Sequence, residues 1–296
     1  MPLRRMGYLL EFYAVQATVT VLRLVPLPVS GWFVKRLADI FFFCSAKRRT
    51  ITLNNLAIAY GDTLSPEQKR HLARKSLESQ ALSILELFLV NKIKKASSRR
   101  FIITGQQYFD DAVAYGKGVV FVASHLGSWE YIGFPGYLKH YPHSVIVKKI
   151  KNPYLDRAID ALRRATESLP IPKDASALRQ TLAELRQNHG VAIIIDQWAG
   201  SEGLWVEFCG RATSTTSLPS RLAKKTGCAL LPIYCVRQEI GQYEIQLLPA
   251  VPVPDTADWE LQTTKRLNDI LESQIRKYPE QWSWSHRRWR PKPVTV

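Results

Sequence analysis

The densest chemistry in the chain lies in six residues, His125-Leu-Gly-Ser-Trp-Glu130. An imidazole beside a carboxylate is the general-base arrangement that activates a hydroxyl for nucleophilic attack. On one continuous helix, residues five apart project about 140° apart and do not meet. The preceding run, residues 119–124 (VVFVAS), has the composition of a strand. A turn at Gly127/Ser128, and a helix opening near Ser128 as its N-cap, would bring the two side chains together. That helix N-terminus would also offer backbone N–H groups to a developing oxyanion. Spacing alone leaves a purely structural role open for both residues.

The elements that must hold this block can be read from the flanking patterns. Residues 119–124, 144–147, 191–195 (VAIII) and 230–236 are short apolar runs of strand type. Helices are expected over 153–167, 176–188, 218–226 and 259–277. Residues 66–90 place leucines 72, 77, 82, 85 and 89 at helical intervals behind Pro66. This alternation predicts an α/β fold, a mixed β-sheet flanked by helices. In such sheets functional groups gather where strands end, so the residues just past 119–124 and 191–195 carry the most interest. Asn152 and Pro153 read as a turn and helix start.

The 296 residues are 46% hydrophobic, enough for a sizeable core, and Lys+Arg 41 against Asp+Glu 25 gives a net charge of +16. Such a balance suits an anionic membrane surface, acidic substrates or a polyanion. No helix-turn-helix, zinc-finger or RNP pattern accompanies the basic clusters, which argues against nucleic acid. The four cysteines have no CxxC spacing, and His71, His140, His143 and His189 lack partners at metal-ligand spacing. A reducing compartment and no metal are therefore expected. Residues 7–25 approach bilayer length but are interrupted by Glu11, Gln16 and Arg23, and a second apolar patch follows at Trp32 and 40–43. A membrane-anchoring helical segment over 1–45, spanning marginally or lying in the interface, is expected ahead of a domain over 46–296, with a buried core helix as the alternative. Near the C-terminus, His286-Arg287-Arg288 with Trp282, Trp284 and Trp289 reads either as a headgroup-facing patch or as a strand packing its tryptophans on the core.

Residues 119–130 resemble the HX4(D/E) block of the lysophospholipid acyltransferase superfamily. More narrowly, the chain is similar to the bacterial late lipid A acyltransferases, the lauroyl- and myristoyl-transferases. Seven ordered blocks carry the resemblance: NNLAIAYGD (54–62), SLESQALSILELF (76–88), GKGVVFVASHLGSWE (116–130), VKKIKNPYLDRAIDALR (147–163), IIIDQWAGSEGLWVEFCGRATST (193–215), TGCALLPIYCVR (226–237) and LNDILESQIRKYPEQWSWSHRRWRPKP (267–293).

The resemblance implies a glycerol-3-phosphate acyltransferase-like fold and a membrane-associated O-acyltransferase at the cytoplasmic face of the cell inner membrane. It would move a fatty acyl chain from acyl carrier protein, or from coenzyme A, to a hydroxyl of a lipid A precursor, without a cofactor. His125 would be the general base, with Glu130 orienting it. Arg163, with Arg164 as its neighbouring rival, would meet phosphate on acceptor or donor. Asp196 would orient active-site groups, or serve structure at a strand end. Lys148 and Lys149 stand where many members carry a tyrosine-arginine-proline stretch, and Glu167 where a glycine or asparagine is frequent. Both departures fall where the acceptor headgroup should bind. They keep a lysophospholipid or phosphoglycolipid acceptor open, including mannosylated phosphatidylinositol. The reading from a different class, a non-catalytic basic membrane-surface or nucleic-acid-binding protein, predicts tolerance of His125→Ala.

Overall fold

A computed structural model describes residues 2–291. Nine strands occur among them: β1 Phe101–Thr104, β2 Val119–Ala123, β3 His143–Val147, β4 Ser168–Pro172, β5 Gly190–Ile194, β6 Leu204–Phe208, β7 Arg211–Thr215, β8 Ala229–Glu239 and β9 Gln242–Leu247. Seven form one sheet in the order β1-β9-β8-β2-β5-β3-β4, while β6 and β7 make a separate antiparallel hairpin. Within the large sheet only β8 and β9 run antiparallel. Every residue of β2 is buried, as a central parallel strand covered on both faces requires.

The helices are α1 Pro2–Leu24, α2 Leu27–Cys44, α3 Ala46–Tyr60, α4 Pro66–Phe88, α5 Val90–Lys94, α6 Ser97–Arg100, α7 Gln106–Ala114, α8 Phe134–Leu138, α9 Pro153–Arg164, α10 Ala177–Arg186, α11 Leu218–Thr226 and α12 Trp259–Lys277. Local chemistry sets several of their ends. Ser65 and Gln68 form a reciprocal capping box ahead of Pro66 at the start of α4. The Asn152 side chain accepts from the Tyr154 and Leu155 amides to open α9 at Pro153. Two buried clusters flank the sheet, one around Phe101, Phe121, Tyr131 and Tyr243, the other around Val120, Ile193, Leu230 and Trp282.

One expectation is revised, and two that stood open are narrowed. The helix expected over 153–167 stops at Arg164, and a strand that the pattern did not suggest, β4, follows. Pro170 and Pro172 disguise it, but β4 is an edge strand, where proline is tolerated. Lys173 donates its amide to the Val147 carbonyl, so odd-numbered β4 positions face β3 and the prolines point their missing N–H outward. The tryptophans Trp282 and Trp284 are core residues, 1% and 0% exposed. The N-terminal apolar residues fold as two helices, and no helix among the described residues is long and apolar enough to cross a membrane. Both helices are tied to the rest of the chain. Asn152 donates to the Tyr8 carbonyl and to Glu11, Arg23 donates to the Phe88 carbonyl, and Arg74 of α4 pairs with the buried Asp39 of α2. Trp32, Phe33, Leu37, Ile40, Phe41 and Phe43 nevertheless remain exposed along α2.

Candidate active site

The parallel register of β2 and β5 builds the site. Ala123 lies opposite Ile194, so two residues further His125 comes level with Asp196 at the C-terminal edge of the sheet. His125 Nδ1 lies 2.9 Å from Asp196 Oδ1, and the His125 backbone amide donates to Oδ2 at 2.8 Å. The indole N–H of Trp282, buried in the core, donates to the same Oδ2 at 2.8 Å. An ionised carboxylate only accepts, so Nδ1 carries the proton and Nε2 keeps its lone pair. Trp129 packs edge-on against the imidazole with ring centroids 5.2 Å apart.

Electrostatics bind this pair together. Burial alone would raise the Asp196 pKa, but the charge of His125, its two N–H groups and the Trp282 indole hold it below the ordinary carboxylate range. For His125 burial disfavours the charged ring. The charge and hydrogen bond of Asp196, with the charge of Glu130, outweigh that and leave the histidine pKa raised.

Glu130 has a different direct partner. Both its oxygens accept from Arg163, from Nε at 3.0 Å and Nη2 at 2.9 Å, in a bidentate fork. Arg163 also reaches Asp160 at 3.5 Å. The carboxylate in hydrogen-bond contact with His125 is thus that of Asp196, while Glu130 acts on it through space. Arg164 is exposed beside the fork, and Lys148 and Lys149 are exposed just past β3, two strands from β2 at the same sheet edge.

The turn between His125 and Glu130 differs from the expected helix start. Ser128 precedes a single 3-10 turn, Trp129–Tyr131, and does not cap it. Its hydroxyl donates to the buried carboxylate oxygen Glu86 Oε2 at 2.7 Å. The Gly127 and Ser128 amides are also engaged, with the carbonyls of Gln281 (2.9 Å) and Cys235 (2.8 Å). They are therefore not free to receive an oxyanion.

Sequence reasoning missed this underlying network. Glu86 and Arg237, 1% and 8% exposed, form a buried ion pair. Arg237 also donates to the hydroxyls of Ser79 (2.9 Å) and Ser83 (2.8 Å), and Ser83 donates to the Gly127 carbonyl at 2.6 Å. Tyr243 donates to Glu86 Oε1 at 3.1 Å. The available signal was a glutamate within the apolar face of residues 76–88 and an arginine ending a strand-like run.

Gly127 is fixed by geometry. Its φ is +61°, and a Cβ built there would lie 2.1 Å from the Cys235 carbonyl oxygen. Gly127→Ala should cost at least about 1 kcal/mol from the left-handed backbone alone, and the clash adds to it. It should also shift His125 and depress turnover. Thermal melting beside an activity assay checks both, and an unperturbed, fully active variant would refute the account of this turn.

The family described as bacterial lipid A biosynthesis acyltransferase matches residues 2–291. Among curated relatives, a phosphatidylinositol mannoside acyltransferase of Mycobacterium tuberculosis is 28% identical over 220 residues, covering 72% of this chain and 69% of its own. A lipid A biosynthesis lauroyltransferase of Escherichia coli K12 is 25% identical over 255 residues, 84% of this chain and 81% of that one. A lipid A biosynthesis palmitoleoyltransferase of the same organism is 23% identical over 280 residues, 91% and 88% of the two chains. With nearly its whole length matched, this chain belongs to the bacterial lipid A biosynthesis acyltransferase family and is an acyltransferase.

Proposed function

We propose that the protein transfers a fatty acyl chain from an acyl thioester, carried by acyl carrier protein, to a hydroxyl of a lipid A precursor. The reaction would take place at the cytoplasmic face of the inner membrane. The observation that carries the proposal is the 2.9 Å contact of His125 Nδ1 with a buried carboxylate, which leaves Nε2 as the base. Nε2 accepts the acceptor's hydroxyl proton as the oxygen attacks the thioester carbonyl. The tetrahedral intermediate then expels the thiolate, the C–S bond breaks, and His125 returns the proton to sulfur. Asp196 holds the tautomer and stabilises the imidazolium formed on the way. Glu130 adds negative charge nearby and keeps the Arg163 fork in place. The thioester is the only co-substrate needed, and no resident cofactor enters the scheme.

The relatives acting on phosphatidylinositol mannosides favour a second acceptor, a mannosylated phospholipid, with the same chemistry. Membrane placement is supported by the exposed apolar side of α2 and the net charge of +16. Mass spectrometry of total lipids from host cells with wild-type protein, His125→Ala or no protein tests the proposal. A lipid A species one acyl chain heavier, present only with wild type, is expected. A His125-dependent change in a phosphoglycolipid instead would move the acceptor and keep the mechanism. Three identical samples, with folded protein and both substrates present, would overturn the proposal.

The pH profile follows from the raised His125 pKa. A general base works when neutral, so activity should rise with pH along a limb lying above the ordinary histidine value of about 6.5. Asp196→Asn removes the charge that lifts it while burial persists. The limb should then move to lower pH as maximal turnover falls roughly 10- to 1,000-fold, from loss of tautomer control. An unmoved limb in the variant would show that Asp196 does not set the histidine's affinity for protons.

A further inference from the structure

A groove of about 810 Å³ runs between α3, the β6–β7 hairpin and the C-terminal segment. Four cations line it: Lys47, Arg211, Arg287 and Arg290, with Asn54 and Asn55 between them and no acidic residue among the lining side chains. All four are exposed, and none forms a salt bridge among the described residues. Four like charges around one groove repel each other, a cost that a bound anion removes.

The cations sit on a fixed frame. Asn55 donates to the Trp284 and His286 carbonyls at 2.7 and 2.6 Å. Buried Arg288 donates to the Gln197 and Ser214 carbonyls, both at 2.9 Å. Arg290 stacks 4.3 Å from the ring centroid of Trp198, two residues beyond Asp196. The segment bearing two of the four charges is therefore bolted to the loop that follows the catalytic carboxylate.

A second groove, of about 690 Å³, lies between α1, α2 and α4. Its walls are apolar, with Val15, Val19, Leu37, Phe41 and Ile84 among them. The two grooves are lined from neighbouring stretches of the chain. Lys47 lines the cationic one and Arg48 the apolar one, while Ser285 lines the apolar one and Arg287 the cationic one. A soluble anion would need only the first groove. An amphiphile with a phosphate headgroup next to hydrocarbon fits both.

We infer that Lys47, Arg211, Arg287 and Arg290 form a headgroup site for the phosphate of an anionic lipid whose hydrocarbon lies in the α1–α2–α4 groove. The identification of that lipid with the acceptor rests on the acyl-transfer reading, whereas binding itself needs no turnover.

Co-sedimentation of the full-length protein with vesicles tests it, using phosphatidylcholine alone and phosphatidylcholine mixed with phosphatidic acid. The variant Lys47→Gln/Arg211→Gln/Arg287→Gln is compared with Arg179→Gln/Lys225→Gln/Lys277→Gln, which loses the same charge at exposed positions outside the groove. The groove variant should lose affinity for phosphatidic acid vesicles on the order of a hundredfold, and the control far less. Binding to phosphatidylcholine alone should be equal in both. Equal losses in the two variants would reduce the effect to bulk charge and overturn the inference. So would an unchanged groove variant, or displacement of vesicles by inorganic phosphate at matched phosphate concentration. Retained vesicle binding with lost binding to acyl carrier protein would assign the groove to the donor, and so overturn it too. His125→Ala should bind vesicles as wild type does. Its turnover tests the acyl-transfer reading separately from the headgroup site.

Discussion

His125→Ala should reduce acyl transfer by roughly 10²- to 10⁴-fold, the range a positioned general base contributes. The protein should stay folded. The ring is partly exposed, and the backbone amide that binds Asp196 survives the substitution. The loss should fall on kcat, because the imidazole's proton transfer belongs to the transition state and not to binding of the thioester. Steady-state kinetics with acyl carrier protein thioester, beside a thermal melt, would separate the possibilities. Wild-type turnover in a folded His125→Ala protein would remove the histidine from the mechanism.

The second large effect is on stability. Arg237→Met is expected to cost about 3–5 kcal/mol, because it leaves Glu86 buried without its countercharge. Methionine fills much of the arginine's volume, so the loss reports charge and hydrogen bonding more than a cavity. The double variant Glu86→Gln/Arg237→Met should recover part of it, since a neutral amide tolerates burial better than an unpaired carboxylate. Chemical denaturation reads both, and an unchanged midpoint for the single variant would contradict the argument. Activity should follow stability here. The pair anchors Ser128 directly and Gly127 through Ser83.

The central strands and the helices over 218–226 and 259–277 were legible because each is a local pattern of residue type and period. What was not legible is non-local. His125 faces Asp196 because β2 and β5 pair in a particular parallel register, across 71 positions of chain. No spacing within 125–130 reveals that the carboxylate at Nδ1 comes from another strand. Glu86 and Arg237 lie 151 positions apart, and only the folded sheet shows that they meet beneath the turn. Local rules misled where a partner distant in sequence intervened. Ser128 has the identity of an N-cap, but its hydroxyl goes to Glu86. The strand β4 carries prolines that a central strand would not accept, and its edge position explains why the pattern went unseen.

Those prolines have a consequence for self-association. The exposed edge of a sheet is a template on which another chain can add a strand through backbone hydrogen bonds. Along β4 the outward positions include Pro170 and Pro172, which offer no N–H. An incoming strand would find carbonyls there but few donors, and the ladder could not continue. An encounter between two copies at this edge is thereby kept from growing into a polymer.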